Sequence, residues 1–201
     1  MKLLIFYCFA LLMMCTGCKK TTVEIITETT RNLPTTDKYG FTQYTIKEGQ
    51  HTADLSIYKP LAVSEMNFIV RFDSSAIYTT LAKENQYDIN KLYGFADNAS
   101  SHHQFSARIG WRWSDNALRL FAYVYNDAAV VSKELGIISI GEEIICNIKI
   151  EGSQYLITAN EYSQQLPRAS KTYAGQGYQL YPYFGGDEPA PHDVRIWIKN
   201  I

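Results

Sequence analysis

The sequence predicts an all-β domain, an antiparallel two-sheet sandwich with at most one short helix. Three observations predict it. Apolar and polar residues alternate in about ten short runs, the period-2 signature of half-buried strands. Clusters of Gly, Pro, Asn and Asp punctuate these runs at short intervals. The chain also finishes in a strand: in Tyr178–Ile201, Gly185-Gly186, Pro189 and Pro191 interrupt the alternation. It resumes with Val194, Ile196 and Ile198 opposite Arg195, Trp197 and Lys199. A strand of this kind closes a sandwich.

In chain order, Tyr39–Lys47 alternates Tyr39, Phe41 and Gln43 against Gly40, Thr42 and Tyr44, and Thr52–Tyr58 reads as a second strand after Gly49-Gln50. In Glu65–Asp73, Met66, Phe68, Val70 and Phe72 share one face. Ser74–Asn85 predicts the one short helix, with Ser74 or Ser75 as cap and Ile77, Tyr78, Leu81 and Ala82 at helical spacing. Lys91–Ala96 returns to strand, and DNASSHHQ, Asp97–Gln104, is a polar loop. Ser106–Trp113 and Ala117–Tyr125 form a hairpin around Ser114-Asp115-Asn116. Gly136 splits two short strands, Val130–Lys133 and Ile137–Ile140. Glu143–Ile150 and Gln154–Ala159 make another hairpin across Glu151-Gly152-Ser153. Glu161–Gly177 reads as a long loop, and a terminal pair of strands completes the domain.

The formal net charge is −1, with 19% charged residues, so no basic excess points to nucleic acid. Fifteen tyrosines suit strands, and they also suit carbohydrate and protein contacts. Met1-Lys2 and the apolar Leu3–Met14 have the form of a signal segment too short to span a bilayer. Cys15-Thr16-Gly17-Cys18 then resembles a bacterial lipobox, with Cys15 where that pattern prefers leucine. The resemblance implies a signal peptide over 1–17, palmitate-type lipidation of Cys18 and a membrane anchor. The Thr-rich stretch 18–36 is then a tether, with a strand over Thr22–Thr30 as its alternative, and 37–201 is the β-sandwich domain. Lys19-Lys20 is similar to lipoproteins of Bacteroidota, which implies the cell envelope, at the outer membrane. Cys8 and Cys15 leave with the signal, so Cys146 is the one free thiol and no disulfide framework exists. It shares a face with Ile144, Ile148 and Ile150 and reads as a buried hydrophobe.

Asp193-Val194-Arg195-Ile196-Trp197, after a Gly-Gly turn, resembles the closing strand of concanavalin A-like lectin/glucanase domains. Ser106–Trp113 and Tyr181–Gly186 are similar to segments of uncharacterised Bacteroidota lipoproteins. The resemblance implies a jelly-roll sandwich with glycan binding on one sheet face. That fold hosts lectins, hydrolases, lyases and adhesive modules, so it does not fix the activity.

The sheet faces supply the candidate residues. Leu118, Leu120, Ala122 and Val124 form a core side opposite Arg119, Phe121, Tyr123 and Tyr125. Ile109, Trp111 and Trp113 oppose Arg108, Gly110 and Arg112. Joined, the polar sides make a basic, aromatic face of Arg108, Arg112, Arg119, Tyr123 and Tyr125, which Gln179, Tyr181, Tyr183, Arg195 and Trp197 extend. Aromatic rings stack on sugars and arginine grips carboxylate or sulfate in bidentate fashion. Tyrosines and arginines on a solvent-facing sheet are equally ordinary strand formers. His102-His103 is a candidate metal pair only if its loop meets His192-Asp193. Asp97, Asn98, Asp187, Glu188 and Asp193 offer hard oxygen donors for calcium, which the resemblance favours. The paired carboxylates of the glucanase strand are missing, which argues against a hydrolase. His102, His103, Arg112 and Tyr123 are the catalytic candidates for a lyase, without its Gln-x-His strand. Three functions follow: a membrane-anchored, non-catalytic glycan-binding or adhesive module; a polysaccharide lyase or other carbohydrate-active enzyme; or a structural lipoprotein that contacts a protein partner.

Overall fold

A computed structural model describes residues 35–201. The predicted signal peptide, Cys18 and nearly all of the tether, with its alternative strand, lie outside the described residues. Among the described residues, twelve strands form two six-stranded antiparallel sheets. The first sheet orders β1 (Thr42–Ile46), β12 (Val194–Asn200), β3 (Glu65–Phe72), β8 (Glu143–Glu151), β9 (Gln154–Ala159) and β10 (Tyr162–Pro167). The second orders β2 (Pro60–Val63), β11 (Gly175–Leu180), β4 (Asn90–Ala96), β5 (Phe105–Ser114), β6 (Ala117–Asn126) and β7 (Ala129–Ile138).

The core lies between the sheets and follows the predicted alternation. Met66, Phe68, Val70 and Phe72 of β3, and Val194, Ile196 and Ile198 of β12, meet Ala107, Ile109 and Trp111 of β5 and Leu118, Leu120, Ala122 and Val124 of β6. Each large apolar side chain buried there contributes about 1.5–3 kcal/mol over an exposed one. The closing strand is central, between β1 and β3. Cys146 is wholly buried, and burial pushes its thiol far above the usual range. Two tight turns organise the second sheet: Asp115-Asn116 and Asp127-Ala128 all have positive φ, the backbone of two-residue turns that match strand twist.

Six details depart from the sequence expectation. The segment 74–85 is not one helix but two 3₁₀ turns, Ser74–Ala76 and Lys83–Tyr87. The chain between them stays extended because the Glu188 carboxylate accepts the N–H groups of Leu81 and Ala82 at 2.7 and 2.8 Å. The first turn is capped by Asp73, which accepts from Ser75 N–H, and not by a serine. Residues 130–138 form one strand, β7, because a bulge where Leu120 pairs Gly136 and Phe121 pairs Glu134 absorbs Leu135. Within the expected loop 161–177, Tyr162–Pro167 is an edge strand, where a terminal proline loses no ladder bond. Thr52–Tyr58 makes only the isolated bridges Thr52–Tyr183 and Ala53–Ile46. The terminal pair is not a hairpin either. β11 and β12 lie in different sheets, and the proline-containing connection crosses from one to the other.

Candidate functional site

The outer face of the second sheet carries a groove. Its floor comes from alternation: on β5 and β6 every second residue faces the core, so Arg108 and its cross-strand neighbour Tyr123 face out. A bulge in β4 between Lys91 and Tyr93 turns both Leu92 and Tyr93 inward and leaves Lys91 on the outer face, opposite Gly110. Gly94 stands opposite Arg108. A Cβ there would run into the Ala107 carbonyl, so β4 approaches β5 this closely only as glycine. Tyr183 bridges to both Lys91 and Thr52, and its ring stacks on His51 with centroids 5.4 Å apart.

The loop after β4 forms one wall. His102 Nδ1 lies 2.8 Å from the Tyr178 hydroxyl, which also accepts the His102 backbone N–H at 3.2 Å. The His103 ring packs on His102 and on Tyr125, with centroids 4.1 and 5.3 Å away. The groove has two lobes. One, of about 300 Å³, is lined by Lys91, His102, His103, Arg108, Tyr125 and Tyr183. The other, of about 270 Å³, shares His102, Arg108 and Tyr183 and adds Thr52, Ser56 and the segment Gln179–Pro182.

The floor is electropositive and uncompensated. Arg108 is only 5% exposed, and its Nε has no hydrogen-bond partner. No carboxylate among the described residues lies at ion-pair distance from it; its surroundings are Tyr123, Tyr125, Tyr178 and Tyr183. Burial lowers its guanidinium to about 10, still charged at neutral pH. Burial, and then Arg108, lower the Lys91 ammonium to about 8, against a weaker upward pull from Asp88. Lys91 Nζ donates to the Ile89 carbonyl at 2.7 Å. Burial, Arg108 and His103 lower His102 to about 4, so its imidazole is neutral at pH 7. Burial raises the Tyr123 phenol, which stays protonated.

A buried knot holds the histidine loop. Asp97, which starts the loop, accepts from Arg168 Nε at 2.8 Å, Tyr155 Oη at 2.6 Å and Thr172 Oγ1 at 3.0 Å. Burial pushes its carboxyl upward, but the bonds from Arg168 and Tyr155 prevail and hold it below the usual range. Asn98 Oδ1 accepts the Lys171 N–H at 2.8 Å, and the Ala99 N–H donates to the Gln176 carbonyl at 2.7 Å.

These contacts place each sequence-derived candidate. His102, His103, Arg108, Tyr123, Tyr125 and Tyr183 come together. Arg112 lies further along β5: it stacks on Phe121 and Tyr87 and donates to the Tyr87 carbonyl, so the histidines face Arg108 and not Arg112. Arg119 is paired with Glu134 at 2.8 Å and Asp115 at 3.6 Å. Gln179 turns inward to the Tyr93 hydroxyl. Tyr181 packs against Tyr44 and Tyr93, although it borders the second lobe. Trp197 and Arg195 lie on the first sheet, where Trp197 packs under Arg71, so they do not extend this face.

The calcium candidates do not converge. Asp97 belongs to the knot and Asn98 to the loop after β10. Glu188 accepts the backbone at 81–82, Asp193 pairs with Lys47, and Asp187 is exposed. No group of three metal-ligating side chains exists among the described residues. His192 contacts the Ser75 carbonyl and not His102 or His103. Sequence reasoning missed Lys91, Tyr178, Thr52 and Ser56. Lys91 escaped because the β4 bulge resets its face. Tyr178 did alternate with Gln179 and was legible.

No protein-family model matches the sequence, and no curated protein matches it. A solved structure shares the architecture. An alginate lyase, AlyC3, superposes with a TM-score of 0.56 at 9% identity, over 85% of this chain and 77% of that one. The fold is a concanavalin A-like jelly roll. A native glycosidic hydrolase gives a TM-score of 0.49 at 9% identity, over 84% and 80% of the two chains. A glycoside hydrolase family 16 endo-glucanase from Bacteroides ovatus gives 0.47 at 9% identity, over 87% and 90%. At such identities the likeness concerns the fold.

Proposed function

We propose that this protein is a membrane-anchored lipoprotein, lipidated at Cys18 and held at the bacterial outer membrane, whose groove binds an acidic polysaccharide. The observation that carries the reading is Arg108. A buried guanidinium without a counter-ion is costly, and such sites are normally paired. An anionic ligand supplies the missing partner, and a carboxylate or sulfate accepts the guanidinium fork in two parallel hydrogen bonds. Lys91 adds a second cation. Tyr125, Tyr183 and the histidines offer rings for the apolar faces of sugars. The fold shared with an alginate lyase fits a ligand of this class.

Affinity electrophoresis of the purified chain in gels containing neutral or acidic polysaccharides tests this. Retardation is expected from an acidic polymer only. Arg108→Met weakens it by about 10- to 100-fold, the worth of a charge-assisted hydrogen bond. Equal retardation by neutral polymers, or none by any, overturns the reading.

One observation favours a second reading, a polysaccharide lyase. His102 sits in the same lobe as Arg108 and Lys91. In β-elimination the cations neutralise the uronate carboxylate, a base removes the proton on the adjacent carbon, and an acid protonates the departing glycosidic oxygen. His102 is neutral and Tyr123 protonated, which suits those roles. In the tautomer where Tyr178 donates to Nδ1, however, Nε2 carries hydrogen and His102 is a donor, which suits binding. Accumulation of ultraviolet absorbance from an unsaturated uronate, abolished in His102→Ala, decides for the lyase; its absence with binding intact decides for the non-catalytic module.

A further inference from the structure

Three buried side-chain polar atoms of the described residues have no hydrogen-bond partner: Ser56 Oγ, Arg108 Nε and Trp111 Nε1. Trp111 lies in the core. The other two belong to residues that line the same lobe of the groove. Buried polar atoms in folded proteins are nearly always satisfied, so two orphans on residues that line one lobe need an explanation.

Ser56 is not on a loose end. Its own N–H donates to the Ala53 carbonyl at 3.3 Å, and the Ala53 N–H donates to Pro182 at 3.2 Å. Asp54 Oδ1 accepts the Thr45 N–H at 3.0 Å, and Thr52 bridges to Tyr183. The segment is stapled to both neighbours, and the unpaired hydroxyl is held where it is.

The two lobes also differ in chemistry. Lys91, His103 and Tyr125 line only the first. The second adds Thr52, Ser56, Tyr181 and Pro182, which bring hydroxyls and an aromatic ring but no further charge. At about 300 and 270 Å³, each lobe is at the lower end of ligand-pocket sizes, roughly 300–1,000 Å³. His102, Arg108 and Tyr183 border both, so the guanidinium stands at the junction of the two lobes.

We propose that the lobe at Thr52 and Ser56 is a second subsite, which takes the hydroxyl-bearing face of the sugar unit next to the one whose acid group meets Arg108. The inference rests on the acidic-polysaccharide reading and sharpens it: the ligand is at least two linked units, and an isolated acidic sugar fills half the groove. Ser56 accepts from, or donates to, a hydroxyl of the neighbouring unit, and that contact replaces the partner the fold withholds.

Calorimetric titration of the full chain with uronate oligosaccharides of one to four units tests this. Affinity is expected to rise from one unit to two. Ser56→Ala reduces the two-unit affinity about three- to tenfold, the worth of one hydrogen bond, and leaves the one-unit affinity alone. The melting temperature of Ser56→Ala without ligand stays the same or rises, because the variant removes an unsatisfied hydroxyl; a purely structural serine would lower it. Equal affinity for one and two units, with Arg108 still required, overturns the subsite and leaves the acidic site standing. A Ser56→Ala chain that loses stability and keeps the length dependence also overturns it. Failure of every acidic oligomer to bind sinks both.

Discussion

Two arginines in this molecule are almost equally buried and are treated in opposite ways. Arg168, 7% exposed, lies in a knot: Asp97 takes its Nε and Nη2, and Ser170, Thr172 and the Ala174 carbonyl also accept from Nη2. Arg108, 5% exposed, lies on the floor of a groove among four tyrosines, with its Nε unpaired. Burial costs a charge its hydration in either place, and partners offset that cost only in the knot. On the proposed reading, an anionic ligand completes the second environment, and the presence or absence of a counter-ion in the chain separates a structural arginine from a binding one.

Removing the charges sharpens the contrast. Arg168→Met leaves Asp97 buried without its cation and is expected to cost about 3–5 kcal/mol of unfolding free energy, read from denaturant midpoints. Arg108→Met strands no partner, and its unfolding free energy without ligand is expected to stay level or rise. If the two variants lose stability alike, Arg108 has a partner in the folded chain and the contrast disappears.

The groove's second cation gives a pH test with two opposite signs. Lys91 titrates near 8 in the folded chain, below its ordinary 10.5. Below pH 8 both folded and unfolded chains hold the proton, and Lys91 adds no pH dependence to stability. Between 8 and 10.5 only the unfolded chain holds it, so stability rises with pH there. Binding of an acidic polysaccharide runs the other way and weakens as pH climbs through about 8, since the groove loses a positive charge. Titrations from about pH 7 to 9, below the range in which Arg108 loses its own charge, should show the fall in the natural chain and none in Lys91→Met. A binding curve flat through pH 8 removes Lys91 from the site.

Much of this was legible in the sequence. Alternation gave the faces of β3, β5, β6, β8 and β12, because a strand's period is local and a buried face forces it. It therefore also gave Arg108, Tyr123 and Tyr125 as one outward set. Three kinds of feature were not legible. The β4 bulge, which turns Lys91 into the groove, is a register event between two strands. The switch of the chain between sheets after Leu180, which separates Tyr183 from Trp197, is a tertiary choice that no local period records. Nor does composition report counter-ions: Arg112, Arg119 and Arg108 look alike in a β5–β6 alternation, and only the neighbours of each in space distinguish them. The strand Tyr162–Pro167 was hidden because Leu166 is its one buried apolar residue.

The smallest expected effect separates the two sheets. On the outer face of the first sheet, three cations have carboxylate partners, Arg71 with Glu143 at 3.3 Å, Arg195 with Asp73 at 2.9 Å and Lys149 with Glu151 at 2.9 Å, and Lys199 lies over the Phe41 ring. Trp197 stands in that row beside Arg71, whose guanidinium spans both Trp197 and Phe41. Composition alone ranks this tryptophan with the groove aromatics as a platform for sugar. Its sheet is not the one that carries the groove, and Arg71 beside it is already paired with Glu143. Trp197→Ala is therefore expected to leave retardation by an acidic polymer within twofold of the natural chain, with a modest stability loss from the uncovered Arg71 stem. A tenfold loss of binding in that variant would place the ligand on the compensated face, and an unpaired buried cation would no longer mark where this protein meets its partner.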